Sequence, residues 1–149
     1  MGIDYLKRLL RGVTHLAMFF ISFIACGFLI YYSNTIIEIT ANSVYSMGLC
    51  TMFGISALYH RLNCSIKTKL VLRKLDHCGI FIMIAGSFTP ICLIALPTDS
   101  GIKLLIIVWS LAFAGIIQSI FLTRIHRWLR ASLYLMVGYM AFPFIKIIY

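Results

Sequence analysis

Four stretches of the chain run for about 18 residues or more without Asp, Glu, Lys or Arg, the length a helix needs to cross a bilayer. They are Gly12 to Ile37, Ile39 to His60, Cys78 to Thr98 and Leu104 to Thr123. A fifth, Ala131 to Ile145, is shorter, but Lys146 can snorkel near its end before Ile147, Ile148 and Tyr149. The pattern predicts an all-α integral membrane protein of about five transmembrane helices, over 12–33, 39–60, 77–97, 104–123 and 131–149. Residues 1–149 read as a single membrane domain, with no linker or low-complexity stretch. The first run is too long for the apolar region of a cleavable signal peptide, and it ends in Tyr31 and Tyr32, which suit a membrane interface.

Composition agrees with that pattern. Apolar residues make up 62% of the 149 and charged residues 11%, too few charges to coat a soluble domain and too much apolar surface for a disordered chain. The charges are lopsided, with 13 Lys and Arg against 4 Asp and Glu. Because the basic residues sit between long uncharged runs, they read as membrane-orienting loops and not as a nucleic-acid face. Eleven of them fall on one side, in the segment before the first run (Lys7, Arg8, Arg11), in the second loop (Arg61, Lys67, Lys69, Arg73, Lys74) and in the fourth (Arg124, Arg127, Arg130). The other side holds Lys103 and Lys146. By the positive-inside rule the N-terminus is cytoplasmic and the C-terminus outside.

Five cysteines (Cys26, Cys50, Cys64, Cys78, Cys92) include no Cys-x-x-Cys, and the 14-residue spacing of the last four is not accompanied by repeated neighbours. They read as buried thiols. Pro90 and Pro143 fall inside runs, where neighbours must satisfy the freed carbonyls. Pro97-Thr-Asp-Ser-Gly101 reads as an external turn.

Ionisable residues at membrane depth are costly and mark functional candidates. Here they are His15, His60, Asp76 and His77, with Glu38 at the external edge. Ser56 and His60 are spaced i, i+4 and share a helix face. Asp76 and His77 open the third run after a loop from Arg61 to Leu75, at the same cytoplasmic depth. If the helices are neighbours, His60 and Asp76 can approach. Imidazole, carboxylate and hydroxyl make half of a hydrated metal site. Spacing alone equally allows His60 as a C-terminal dipole partner and Asp76 as an N-terminal cap. His15, His77, Cys64 and Cys78 lie at similar depth without completing a metal motif, and His126 reads as part of a solvated basic loop.

Ser56-Ala-Leu-Tyr-His60, followed by Lys74-Leu-Asp-His-Cys-Gly-Ile-Phe-Ile-Met-Ile-Ala-Gly-Ser-Phe-Thr-Pro90, resembles the hemolysin III family, which is related to the progestin and adipoQ receptors. Arg11-Gly-Val-Thr-His15 resembles the start of that family's first helix, and Leu129 to Tyr139 its fifth. The resemblance implies the first five helices of a seven-helix bundle, with a cytoplasmic N-terminus. It implies zinc near the cytoplasmic face, with His60 as one of three histidine ligands and with Asp76 and Ser56 beside the metal-bound water. The other two ligands belong to a His-x-x-x-His motif on the seventh helix, which this chain lacks. The Glu and Asn that precede the first helix in many members are also absent, where this chain reads Lys7-Arg8-Leu-Leu-Arg11. The resemblance thus implies a C-terminally truncated member with an incomplete site, and weak or absent zinc binding by this chain.

Three function classes follow. The first is a hemolysin III-like membrane protein with half of a zinc-dependent, lipid-amide hydrolase site. The second is a membrane-perturbing or pore-forming hemolysin, although polar residues in the spans are sparse. The third is a non-functional remnant, in which Gly79, Ala85, Gly86, Ala112, Ala114 and Gly115 would have packed against absent helices. The expected partners are the lipid bilayer and a membrane lipid substrate, in the plasma (inner) membrane, with no nucleic acid.

Overall fold

The computed structural model describes residues 2–121 and 127–139. The helices are α1 (Gly2–Tyr31), α2 (Ile36–Arg61), α3 (Ile66–Pro90), α4 (Thr98–Phe121) and α5 (Arg127–Tyr139), with a π-helical turn, Ile91–Ala95, prolonging α3. There is no strand among the described residues. Among the described residues, three stretches are long and apolar enough to cross a membrane: Leu9–Tyr31, Ile66–Ala95 and Thr98–Phe121. The molecule is an all-α membrane bundle.

Packing follows chain order. α2 lies between α1 and α3, α4 packs on α3 and the π-helical turn, and α5 rests on α3 and α4. This explains why α2, although 26 residues long, is not among the most apolar stretches. A helix covered by protein on two sides can carry small and polar residues that a lipid-facing helix cannot. Ser46 donates to the Asn42 carbonyl at 2.6 Å, and the Asn42 amide donates to Ser33 Oγ at 2.9 Å. The outer helix α1 instead presents Phe20, Ile21, Phe23, Ile24 and Phe28 outward, where lipid replaces protein neighbours.

Close approach of backbones holds α2 to α3. A Cβ on Gly48 would meet the Ile82 carbonyl at 3.2 Å, and one on Gly86 the Val44 carbonyl at 3.3 Å. Lipid is as apolar as a protein core, so van der Waals contact of this kind, not burial from water, associates membrane helices. The α3–α4 core is built on Phe81, Ala85, Cys92, Leu104, Val108 and Ala112, all buried. Tyr134 of α5 packs on Phe81 with ring centroids 4.7 Å apart. A Cβ on Gly115 would overlap that Phe81 ring.

Several expectations from the sequence are corrected. Gly79, Ala85, Gly86, Ala112 and Gly115 are all buried within the described bundle, so they do not form an unpartnered face. Helix α3 begins at Ile66, not at residue 77, and only Leu62–Ser65 separates it from α2. Ser65 is its N-cap, accepting from the Thr68 N–H at 3.2 Å, so Asp76 lies well inside the helix and is not a cap. Basic residues do not break a helix; they let its first turns emerge from the hydrocarbon. Likewise α4 starts at Thr98, so most of the expected Pro97–Gly101 turn is helical. The helix runs through Pro90 and then widens, with the Leu96 N–H donating to the Ile91 carbonyl at 3.2 Å. A Cβ on Gly101 would overlap the Cys92 carbonyl of this turn, so only glycine lets α4 come so close. Pro143 and His126 lie outside the described residues.

Candidate functional site

Three helices bring polar side chains together: the first half of α1, the end of α2 and the first half of α3. Gly12 sets the approach of α1, because a Cβ there would lie 2.6 Å from Arg61 Cγ and 3.2 Å from His60 Cβ. One turn on, His15 faces α2 and its Nδ1 lies 2.6 Å from Ser56 Oγ. A helical serine ordinarily bonds back to a carbonyl of its own helix. Ser56, which is buried, reaches across to α1 instead, donating to His15 Nδ1 or accepting from it according to the imidazole tautomer.

His60 stands beside this pair. Its ring lies 6.2 Å from His15, edge to face, and 4.9 Å from Tyr59. Its Nδ1 is buried without a hydrogen-bond partner among the described residues. An orphaned buried ring nitrogen is costly and suits a ligand or proton-exchanging position. The Asp76 carboxylate attracts a cationic His60 electrostatically, while Arg11, Lys69 and His15 repel it. Lys69 also terminates α2, its ammonium donating to the Tyr59 carbonyl and, at 3.1 Å, to the Leu62 carbonyl.

Of the sequence-derived residues, Ser56, His60 and Asp76 thus come together. Sequence spacing missed His15 as a direct partner of Ser56. The available signal was the Gly12–His15 spacing, which places a close-approach residue and an imidazole on one helix face. His77 is turned away, its Nδ1 2.6 Å from the Arg73 carbonyl. The reading of all five cysteines as buried thiols is corrected at Cys64, which is exposed in the turn because it lies between helices, and at Cys50, which is half-buried; Cys78 is buried against α4.

Zinc is the group implied by the resemblance. His60 Nδ1 suits a ligand, but His15 Nδ1 is engaged by Ser56. No set of three His, Cys, Asp or Glu groups among the described residues is placed to hold a metal ion. Tetrahedral zinc takes three or four protein ligands, so the described residues do not fit it by themselves.

A family model described as Haemolysin-III related matches residues 3–149. The Hemolysin-3 homolog of Bacillus subtilis (strain 168) is 30% identical over 146 residues, covering 96% of this chain and 68% of that protein. Hemolysin-3 of Bacillus cereus is 32% identical over 148 residues, covering 96% of this chain and 66% of that protein. The chain spans about two thirds of the length of these relatives. No solved structure matches it. Matched by the family model over residues 3–149, the chain belongs to the haemolysin-III related family, and its long apolar helices make it a multi-pass membrane protein.

Proposed function

We propose that this protein carries half of a metal-assisted hydrolase site directed at membrane lipid amides, on the cytoplasmic side of the plasma membrane. One observation carries the reading: Ser56, His60 and Asp76 converge, with His60 Nδ1 buried and unpartnered among the described residues. In this half-site His60 would be the metal ligand, Asp76 the carboxylate available to orient a water or take its proton, and Ser56, held by His15, the neighbouring hydroxyl. A single imidazole holds zinc weakly, so the described residues by themselves are expected to bind it weakly. The test is zinc titration of the purified chain in detergent. Weak binding that His60→Ala abolishes is the expected result. Stoichiometric zinc at nanomolar affinity, or binding indifferent to His60→Ala, would overturn it.

A second reading, membrane perturbation, draws on the name Hemolysin-3 borne by the relative from Bacillus cereus. Pores need a polar lining. Among the described residues the buried polar side chains are Ser22, Ser46, Ser56, Thr89 and Ser119, a sparse set for such a lining. Dye release from liposomes separates the two readings. The hydrolase reading expects little leakage; strong leakage from the wild type that persists in His60→Ala would favour perturbation.

A further inference from the structure

At the turn between α2 and α3 lies a cavity of about 560 Å³, separate from the Ser56–His60 cluster. Leu62, Ile66 and Leu70 form its apolar part, and Lys69 and Arg73 its charged part; no acidic residue lines it. The three apolar side chains are exposed, Ile66 to 82%. The Arg73 guanidinium has no hydrogen bond or ion pair to any other described residue. Two of the three Lys69 N–H groups are used on α2 carbonyls, which fixes the ammonium at the rim and leaves one donor.

Depth decides what such a groove faces. From Ile66 to Ala95, α3 and its π-helical extension run for 30 residues, about 45 Å at 1.5 Å per residue, whereas the hydrocarbon core is about 30 Å thick. Lys67, Lys69, Arg73 and Lys74 occupy the first turns, so the excess length lies at this end, at headgroup depth. An exposed isoleucine and leucine there are costly beside water and favourable beside an acyl chain. An ammonium and a guanidinium that line one groove match a phosphate, and basic pockets at the cytoplasmic ends of membrane helices hold anionic headgroups.

We infer that this groove binds one anionic phospholipid, its phosphate on Arg73 and Lys69 and the head of one acyl chain along Leu62, Ile66 and Leu70. A zwitterionic lipid places a cation against the same two basic groups and binds less well. The inference stands independently of the hydrolase reading, since no group of the Ser56–His60 cluster contributes to it.

Cys64 lines the groove and is exposed, so it reports occupancy. The full chain in neutral detergent is treated with a maleimide, and the modified peptide is quantified by mass spectrometry. Phosphatidylglycerol is expected to slow Cys64 labelling several-fold, an effect weakened by high salt, while phosphatidylcholine and inorganic phosphate leave it nearly unchanged. Arg73→Gln is expected to lose most of the protection and Arg73→Lys to keep most of it. Lys103→Gln, in α4 and outside the groove, is expected to behave as wild type. Equal protection by phosphatidylcholine overturns the proposal, as does protection by phosphate alone, which would mark a free-anion site. Undiminished protection in Arg73→Gln, or an equal loss in Lys103→Gln, overturns it as well. The lipid comparison on the wild-type chain decides the matter even if a variant fails to fold.

Discussion

The contact between His15 and Ser56 is the most informative single interaction in the molecule, because it joins two helices at the point where the polar residues collect. Removing one partner leaves the other buried and unsatisfied, which costs about 1–3 kcal/mol. His15→Ala is therefore expected to lower stability in detergent denaturation by that amount. The double variant His15→Ala/Ser56→Ala should cost less than the sum of the two single changes, since the second removes the orphan created by the first. Strict additivity would show that the two groups do not interact. Spacing alone pointed to Ser56 and His60 because i, i+4 pairs share a face within one helix. No periodicity reports a contact made across two helices, which is why His15 entered only as one ionisable residue among several. Its placement depends on Gly12, whose missing side chain lets α1 meet Arg61 and His60.

At the scale of the element, the boundaries of the apolar runs and of the helices part company where charge begins. The α1 and α3 helices extend into basic segments at Gly2 and Ile66, well before their apolar runs. A charge-free window measures what fits in hydrocarbon, whereas a helix continues as long as its backbone ladder and caps allow. Ser65 caps α3, and the Thr35–Glu38 capping box starts α2 with reciprocal bonds of 3.2 and 3.4 Å. The helical assignment of residues 66–75 makes a direct prediction. The backbone amides of residues 69–75 should exchange with deuterium much more slowly than those of residues 63–65 in hydrogen-exchange mass spectrometry. Equal, rapid exchange across 63–75 would restore the long loop read from the sequence. Prolines and glycines behave similarly: Pro90 announced a disturbance in its helix, but only the packing of Gly101 on the Cys92 carbonyl shows what the disturbance accommodates.

For the whole molecule, the proposed orientation rests on eleven basic residues on one side against two on the other. Cys64, exposed in the α2–α3 turn, tests it. A membrane-impermeant maleimide should label Cys64 in inside-out vesicles and leave it unmodified in intact cells with the outer face exposed. Labelling from outside would invert the topology and place the Ser56–His60–Asp76 cluster on the opposite face. The order of helices in space also bears on what the cluster can do. Because α2 lies between α1 and α3, His15, Ser56, His60 and Asp76 come together, although they are spread from residue 15 to residue 76 in the chain.

By itself, the sequence determined the solvent of this protein, its helical class and the charge asymmetry across its spans. Those properties are sums over composition and one-dimensional spacing: hydrocarbon admits few charges and demands that each backbone group be satisfied within its own helix. The Ser56–His60 spacing and the Asp76 motif were equally legible as local patterns. Only the tertiary structure decided that Gly79, Ala85, Gly86, Ala112 and Gly115 are covered within the bundle, while Ala114 stays exposed. It alone showed that His15 holds Ser56 and that the α2–α3 turn encloses a basic, apolar-lined groove. Such features depend on which helices become neighbours and how closely their backbones approach, and that choice is made by side-chain packing between segments distant in the chain.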